Sequence, residues 1–204
     1  MSLNKHLIGD AHMAAKSAKS AQYKAVFINP ESPHDADAAL FALTVVKVIT
    51  DARGWCQVVP LHVTRSNDRA DIVISLMSEK TLNRTFRSLG REDLVGMSAT
   101  VMHHHPVQVW INARRWREGP DTNVIVRTER GKVVSDPQVA LYLYRLYLLN
   151  HELGHALGLD HASPRGGQCS IMTQQTKTLP QGCTFRAWPE PSQLKQVLTM
   201  HGSK

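Results

Sequence analysis

Apolar positions along the chain follow two periods. Over residues 24–29, Val26 and Ile28 alternate with Phe27, the two-residue repeat of a half-buried strand. A turn punctuated by Pro30, Ser32 and Pro33 follows, and Asp35 can cap a helix that runs to about Arg53. Its apolar residues Ala39, Leu40, Leu43, Val46 and Ile49 recur at three and four, and Gly54 stops it. Four runs rich in β-branched residues come next, over 57–63, 71–77, 97–103 and 107–112, and are expected to form one sheet. The polar stretch 78–95 predicts a surface loop with some helix, and 117–135 a second loop carrying Gly119, Pro120 and Gly131. The clearest helix spans 137–157. Asp136 offers an N-cap oxygen, Pro137 suits the first helical position, and Gly158 suits the left-handed position after the end. Those residues make a rod about 31 Å long. An irregular segment then leads to residue 191, followed by a short amphipathic helix with Leu194, Val197 and Leu198 on one side. Strand, helix, four strands, helix and irregular lobe follow in that order, which predicts an α+β chain with one sheet.

Composition narrows this picture. With 204 residues, 42% apolar and 20% charged, the chain is one globular domain rather than a disordered or fibrous segment. The longest apolar run, 38–49, is interrupted by Lys47 and falls short of the roughly 18 residues that a membrane span needs. The first 24 residues spread lysines along themselves and hold no apolar stretch with a cleavage site, so no secretory signal is recognised there. The net charge of +7 could attract nucleic acid or an acidic substrate through Arg114, Arg115 and Arg117, or Arg127, Arg130 and Lys132. These charges neither keep a helical period nor interleave with aromatic residues, so they read as a solubilising surface and no specific nucleic-acid partner is expected. Of three cysteines, Cys169 and Cys183 lie 14 positions apart, and a bridge between them would add about 3 kcal/mol. Their spacing leaves bridged and free states open, and Cys56 reads as a buried free thiol.

The chemistry is concentrated in His151-Glu152-Leu153-Gly154-His155-Ala156-Leu157-Gly158-Leu159-Asp160-His161. Residues four apart share a helical face, so His151 and His155 can point at one atom. A sharp turn at Gly158 can return His161 to the same point. Three neutral imidazoles leave the fourth tetrahedral position of a zinc ion open to water, as in catalytic rather than structural sites. Glu152 lies about 100° round the helix from the first ligand, where a general base can take a proton from the zinc-activated water. At this chain's frequencies of His, Glu and Gly, the five fixed residues of HExxHxxGxxH arise by chance in roughly one such chain in 10⁴.

HELGHALGLDH resembles the zinc signature of the metzincin metallopeptidases and is most similar to that of the matrix metalloproteinases. Ala70-Asp71-Ile72-Val73-Ile74-Ser75 resembles that family's third strand, and Ser170-Ile171-Met172 its Met-turn. Tyr144-Arg145-Leu146-Tyr147, Gln174-Gln175-Thr176, Cys183 and Trp188-Pro189 are similar to a group of poorly characterised bacterial metzincin-like proteins of secreted type. The resemblance spans about residues 23–191. It implies an α+β fold of zincin type, a twisted mixed five-stranded sheet with a backing helix and an active-site helix above and a small irregular lobe, ending in a helix, below a cleft, and peptide-bond hydrolysis. It suggests an extracellular place, which the chain itself leaves open. His151, His155 and His161 would hold one zinc ion, Glu152 would be the catalytic residue, and Met172 would support the metal without binding it. It also implies that 97–103 is the sheet edge next to the cleft. Residues 78–95 lack the His and Asp clusters of a second metal site, residue 174 is Gln where some metzincins have an oxyanion-stabilising Tyr, and no propeptide cysteine switch is present. On a strand, only His103 and His105 of the triple histidine 103–105 could share a metal, and an exposed strand end is the expectation there.

The division expected is an extension over 1–22, a catalytic domain over 23–191 with upper part 23–158 and lower lobe 159–191, and a helix with tail over 192–204. The leading expectation is a monomeric zinc metalloendopeptidase acting on protein or peptide. The alternative is a catalytically silent, zinc-stabilised protein-binding module, against which the intact Glu152 argues.

Overall fold

Strand β1 (Lys24–Pro30) lies inside the sheet, between β2 (Leu61–Val63) and β3 (Ile72–Met77), parallel to both. Strand β5 (Val107–Asn112) continues β3 in parallel, and β4 (Ala99–Val101) closes the sheet antiparallel to β5. The five strands run in the order β2-β1-β3-β5-β4, which makes the protein α+β with a mixed sheet. The structure is a computed structural model that describes residues 24–32, 36–120, 133–164, 169–175 and 183–201. Ile72, Val73, Ile74, Ser75 and Leu76 of β3 are all buried, as a strand covered on both faces must be.

Helices α1 (Ala36–Thr50) and α4 (Pro137–Ala156) pack together over one face. The inward face of α1 differs from the expected one. Ala38, Phe41, Val45, Val48 and Ile49 are buried, whereas Ala39, Leu40, Leu43 and Val46 are exposed. The helix is apolar almost all round, so two stripes compete. The stripe with Phe41 wins, because its ring buries more area and meets Trp116 edge-on at 5.1 Å. Asp35, expected to cap this helix, lies outside the described residues.

Two predicted strands shrink. Residues 55–57 form a single 3-10 turn and Pro60 cannot donate to a ladder, so the run over 57–63 pairs only from Leu61. The run over 97–103 pairs only at Ala99–Val101, and His103, His104 and His105 lie exposed in the turn that follows.

The stretch expected as a loop with some helix contains α2 (Glu79–Ser88), capped where the Ser78 hydroxyl accepts from Thr81 N–H at 3.3 Å. Only Leu82 and Phe86 anchor it. They form a second small cluster with Ala99 and Trp110, on the face of β5 opposite Val109 and Ile111. The basic run at 114–117 lies on α3 (Ala113–Glu118) and works as a staple. Arg114 pairs with Glu79 at 2.9 Å, Arg117 with Asp37, and Arg115 Nε donates to Gly96 O at 2.5 Å. Arg127, Arg130 and Lys132 lie outside the described residues.

Helix α5 (Pro191–His201) buries Leu194 and Val197 but leaves Leu198 exposed, Gln193 taking the third inward place. Cys56 is half-buried rather than buried, its thiol 3.0 Å from Asp51 O. One hydrophobic cluster runs from Val26 through Ile171, Met172 and Phe185 to Val197, so the upper part, the lower lobe and the last helix share a core. Among the described residues no helix is long and apolar enough to cross a membrane.

Candidate metal centre

Helix α4 carries the site on its last two turns. Asp136 Oδ1 accepts from the N–H groups of Gln138 at 2.8 Å and Val139 at 3.4 Å, with Pro137 at the first helical position. At the other end Leu159 N–H donates to Gly154 O at 2.9 Å and Gly158 N–H to His155 O at 2.8 Å. This paired closure needs a left-handed residue, and Gly158 supplies it with φ of 95°. The reversal brings His161 back over the helix. The ring centroids of His151, His155 and His161 then lie 4.6 to 5.2 Å apart, and their ligand atoms lie within 4.8 Å of one another. Among the described residues they are the only group of three or more potential ligands brought together. His103, His104 and His105 join no such group.

The ring nitrogens are assigned by their partners. His151 Nδ1 lies 2.8 Å from Ile171 O and His155 Nδ1 lies 2.7 Å from Leu159 O. A carbonyl only accepts, so both rings carry the proton on Nδ1 and present Nε2 as a lone pair. His155 Nε2 and His161 Nε2 face each other at 3.2 Å. Burial, with the neighbouring imidazoles adding to it, pushes His151 down to about 3, and burial also lowers His155. Neutral imidazole is the form that ligates metal.

Glu152 is buried beside this cluster. Its carboxylate accepts from the Thr100 hydroxyl at 2.8 Å, and the same hydroxyl lies 2.9 Å from Glu152 O. Burial raises the carboxyl to about 7 against that hydrogen bond, a value suited to taking up and releasing a proton near neutral pH.

The lower lobe forms the floor. Ala162 N–H donates to Met172 O at 3.0 Å, and Met172 packs so closely under the helix that a methyl group on Gly154 would strike its sulfur. Tyr147 OH donates to Thr173 O at 2.9 Å and accepts from Gln175 N–H at 3.1 Å, tying α4 to the segment after Met172. Gln175 is itself fully buried and bonded to Ser170 O and to Arg186 N–H and O. Cys169 and Cys183 form a disulfide across this lobe, with Cα atoms 5.3 Å apart. Gln174 Nε2 comes within 3.3 Å of His161 Nε2. From above, Trp55 Nε1 donates to Asn150 O at 3.1 Å, and Asn150 Nδ2 to Ala187 O at 2.9 Å. His201 Nε2 lies 3.0 Å from Leu157 O, holding the helix end.

The three histidines, Glu152 and Thr100 line a cavity of about 530 Å³ that extends between β4 and α4 to Tyr144. Sequence reasoning found the histidines, Glu152 and Met172, which the structure brings together. It missed the roles of Thr100, Trp55 and Asn150. A Thr in a short edge strand and a Trp near a helix end give no signal of contact with residues 52 and 95 positions away.

No curated protein matches the chain, and no solved structure matches it. One protein family does, over residues 7–196, a span that takes in every residue of the histidine cluster and its floor. The chain therefore belongs to the family described as a protein of unknown function, DUF3152.

Proposed function

We propose that the protein is a zinc-dependent metalloendopeptidase of metzincin type, with His151, His155 and His161 as the metal ligands and Glu152 as general base. The observation that carries this reading is the convergence of three imidazoles, two of them turned by backbone carbonyls to present an Nε2 lone pair, next to a buried carboxylate at the wall of a cleft. The donor set fits the ion. Two nitrogens at Zn–N distances of 2.0–2.1 Å on a tetrahedral centre stand about 3.4 Å apart, close to the 3.2 Å between His155 Nε2 and His161 Nε2. His155 Nε2 presents a lone pair at that distance, so either a cation or a proton lies between it and His161 Nε2 when the contact is favourable. The backbone carbonyls of Ile171 and Leu159 fix both rings in the ligating tautomer, the outer-shell support that metal histidines require.

Zinc bound there supplies Lewis acidity to a water molecule and to the carbonyl under attack. Glu152 takes the proton from the attacking water and delivers it to the departing amine. Met172 and the buried Gln175 network keep the floor rigid, and Tyr147 holds the cleft wall to the site helix. The antiparallel edge strand β4, beside α4 and the cleft, offers unpaired backbone groups on which an extended peptide can lie. The metzincin assignment also draws on the chain path, in which a strand, a long helix, four further strands of one mixed sheet, a second long helix and an irregular lobe under that helix follow in that order.

The test is cleavage of a mixed peptide library by the purified chain, read by mass spectrometry, beside a chelated sample and Glu152→Gln. Cleavage should disappear on chelation, and Glu152→Gln should keep zinc while losing turnover by on the order of 10²–10⁴-fold. A mutant that cleaves as fast as the parent removes Glu152 from the mechanism. One tightly held zinc per chain without cleavage would favour the silent binding module.

A further inference from the structure

On the three-residue strand β4, side chains alternate faces. Ala99 turns into the cluster with Leu82 and Phe86, and Thr100 turns towards the site helix. Among the described residues the buried Glu152 carboxylate has one hydrogen-bond partner, the Thr100 hydroxyl at 2.8 Å. That hydroxyl is also 2.9 Å from Glu152 O, so its one proton is shared between the backbone carbonyl and the carboxylate of this residue. Two features make the link stiff. Thr is β-branched, which restricts its χ1, and its backbone is paired opposite Val109 of β5. A Glu side chain has three rotatable bonds, and nothing else polar restrains this one.

We propose that Thr100 is a positioning residue, whose hydroxyl holds the Glu152 carboxylate beside the three histidines in the orientation that proton transfer needs. The assignment rests on the hydrolase reading above. It extends the site across the sheet edge, and couples the strand where a peptide would lie to the base that would serve its cleavage. Thr100 itself touches neither the histidines nor a reacting atom and acts through Glu152.

The experiment compares the zinc-loaded full chain with Thr100→Val, which keeps the shape and removes the hydroxyl, and Thr100→Ser, which keeps the hydroxyl. Three quantities are measured: zinc affinity, calorimetric binding of acetohydroxamic acid to the zinc-loaded protein, and kcat and KM on a peptide that the parent cleaves. Acetohydroxamic acid binds zinc and offers a proton to a carboxylate beside it, so it reports the aim of Glu152 without turnover. Thr100→Val should keep the parent's zinc affinity, bind the hydroxamate about tenfold more weakly, and lose kcat by on the order of 100-fold with little change in KM. Thr100→Ser should restore most of both. Parent-like hydroxamate binding and kcat in Thr100→Val overturn the proposal. So does loss of zinc in both variants, which would make Thr100 a packing residue. A parent that holds zinc yet neither cleaves peptides nor binds the hydroxamate sinks the hydrolase reading itself, and the role of Thr100 with it.

Discussion

The two long helices that share one face of the sheet are built on opposite principles. Helix α1 buries Phe41, Val45, Val48 and Ile49 and one polar side chain, Thr44, whose hydroxyl returns to Leu40 O at 2.7 Å. Its polar tie to a neighbour, Asp37 with Arg117, lies at its first turn, and Leu43 is 69% exposed. Helix α4 buries three consecutive polar residues, Asn150, His151 and Glu152, each of which needs a partner because an unbonded buried polar group costs about 1–3 kcal/mol. The partners come from separate segments: Ala187 O for Asn150, Ile171 O for His151, Thr100 for Glu152. One helix is held mainly by shape and the other by shape and a set of buried, aimed polar bonds. Three consecutive buried polar groups on α4, against the single self-satisfied Thr44 on α1, single out the end of α4 as the candidate site.

The contrast sharpens most when metal is added. A ligand bound only by the folded state stabilises it by about 4 kcal/mol at a thousandfold excess over its dissociation constant, so zinc should raise the melting temperature clearly and a chelator should reverse the gain. The effect should fade in acid, because protonated imidazole does not ligate, and at a pH below the ordinary histidine range, because burial lowers His151 to about 3 and lowers His155 as well. Melting curves taken with zinc and with chelator at several pH values check this. Curves that coincide would leave the histidine cluster without a metal.

A smaller effect separates the two helices by mutation. A methyl group at Gly154 meets the Met172 sulfur and comes within 3.2 Å of the Trp55 ring, so Gly154→Ala should cost about 1–3 kcal/mol by overpacking despite alanine's better helix propensity. On α1, Leu43→Ala removes a larger group yet should stay within about 0.5 kcal/mol, since the side chain lies in solvent. Urea unfolding of both variants tests the pair. Equal losses would mean that α1 is covered by something its exposure does not reveal.

The same contrast explains what could be read from the chain. Helix α4 was legible from end to end, because Asp136, Pro137 and Gly158 act locally, and the ligand spacing is set by the helical repeat. The face of α1 was not legible, because a helix apolar on all sides offers two stripes and only the position of Trp116 selects between them. Helix α2 escaped notice as a defined element because two residues, Leu82 and Phe86, suffice to anchor it. The strand over 57–63 was overdrawn for want of weight on Pro60. The supports of the site were hidden for another reason. Thr100, Trp55 and Ala187 reach α4 across 52, 95 and 37 residues, and such contacts leave no periodicity behind.

The smallest effect belongs to the end of α1, where Asp51 pairs with the exposed Arg53. Asp51 accepts from Arg53 Nε at 2.9 Å and from Nη2 at 2.8 Å, and that hydrogen bonding holds its carboxyl down at about 2, below the ordinary 3.8. A depressed folded-state pKa means that the unfolded chain takes up the proton first. The stabilisation is therefore full above about pH 3.8 and is lost as pH falls through about 2. Arg53 is 61% exposed, so solvent screening limits the pair to less than about 1 kcal/mol. Asp51→Asn should be destabilised by that small amount at neutral pH, and its unfolding midpoint should converge on the parent's as the solution is taken from about pH 4 to about pH 2. If the gap between them stayed constant over that range, the contribution of Asp51 would lie in the backbone turn that it caps through Arg53 N–H at 3.0 Å, and not in its charge.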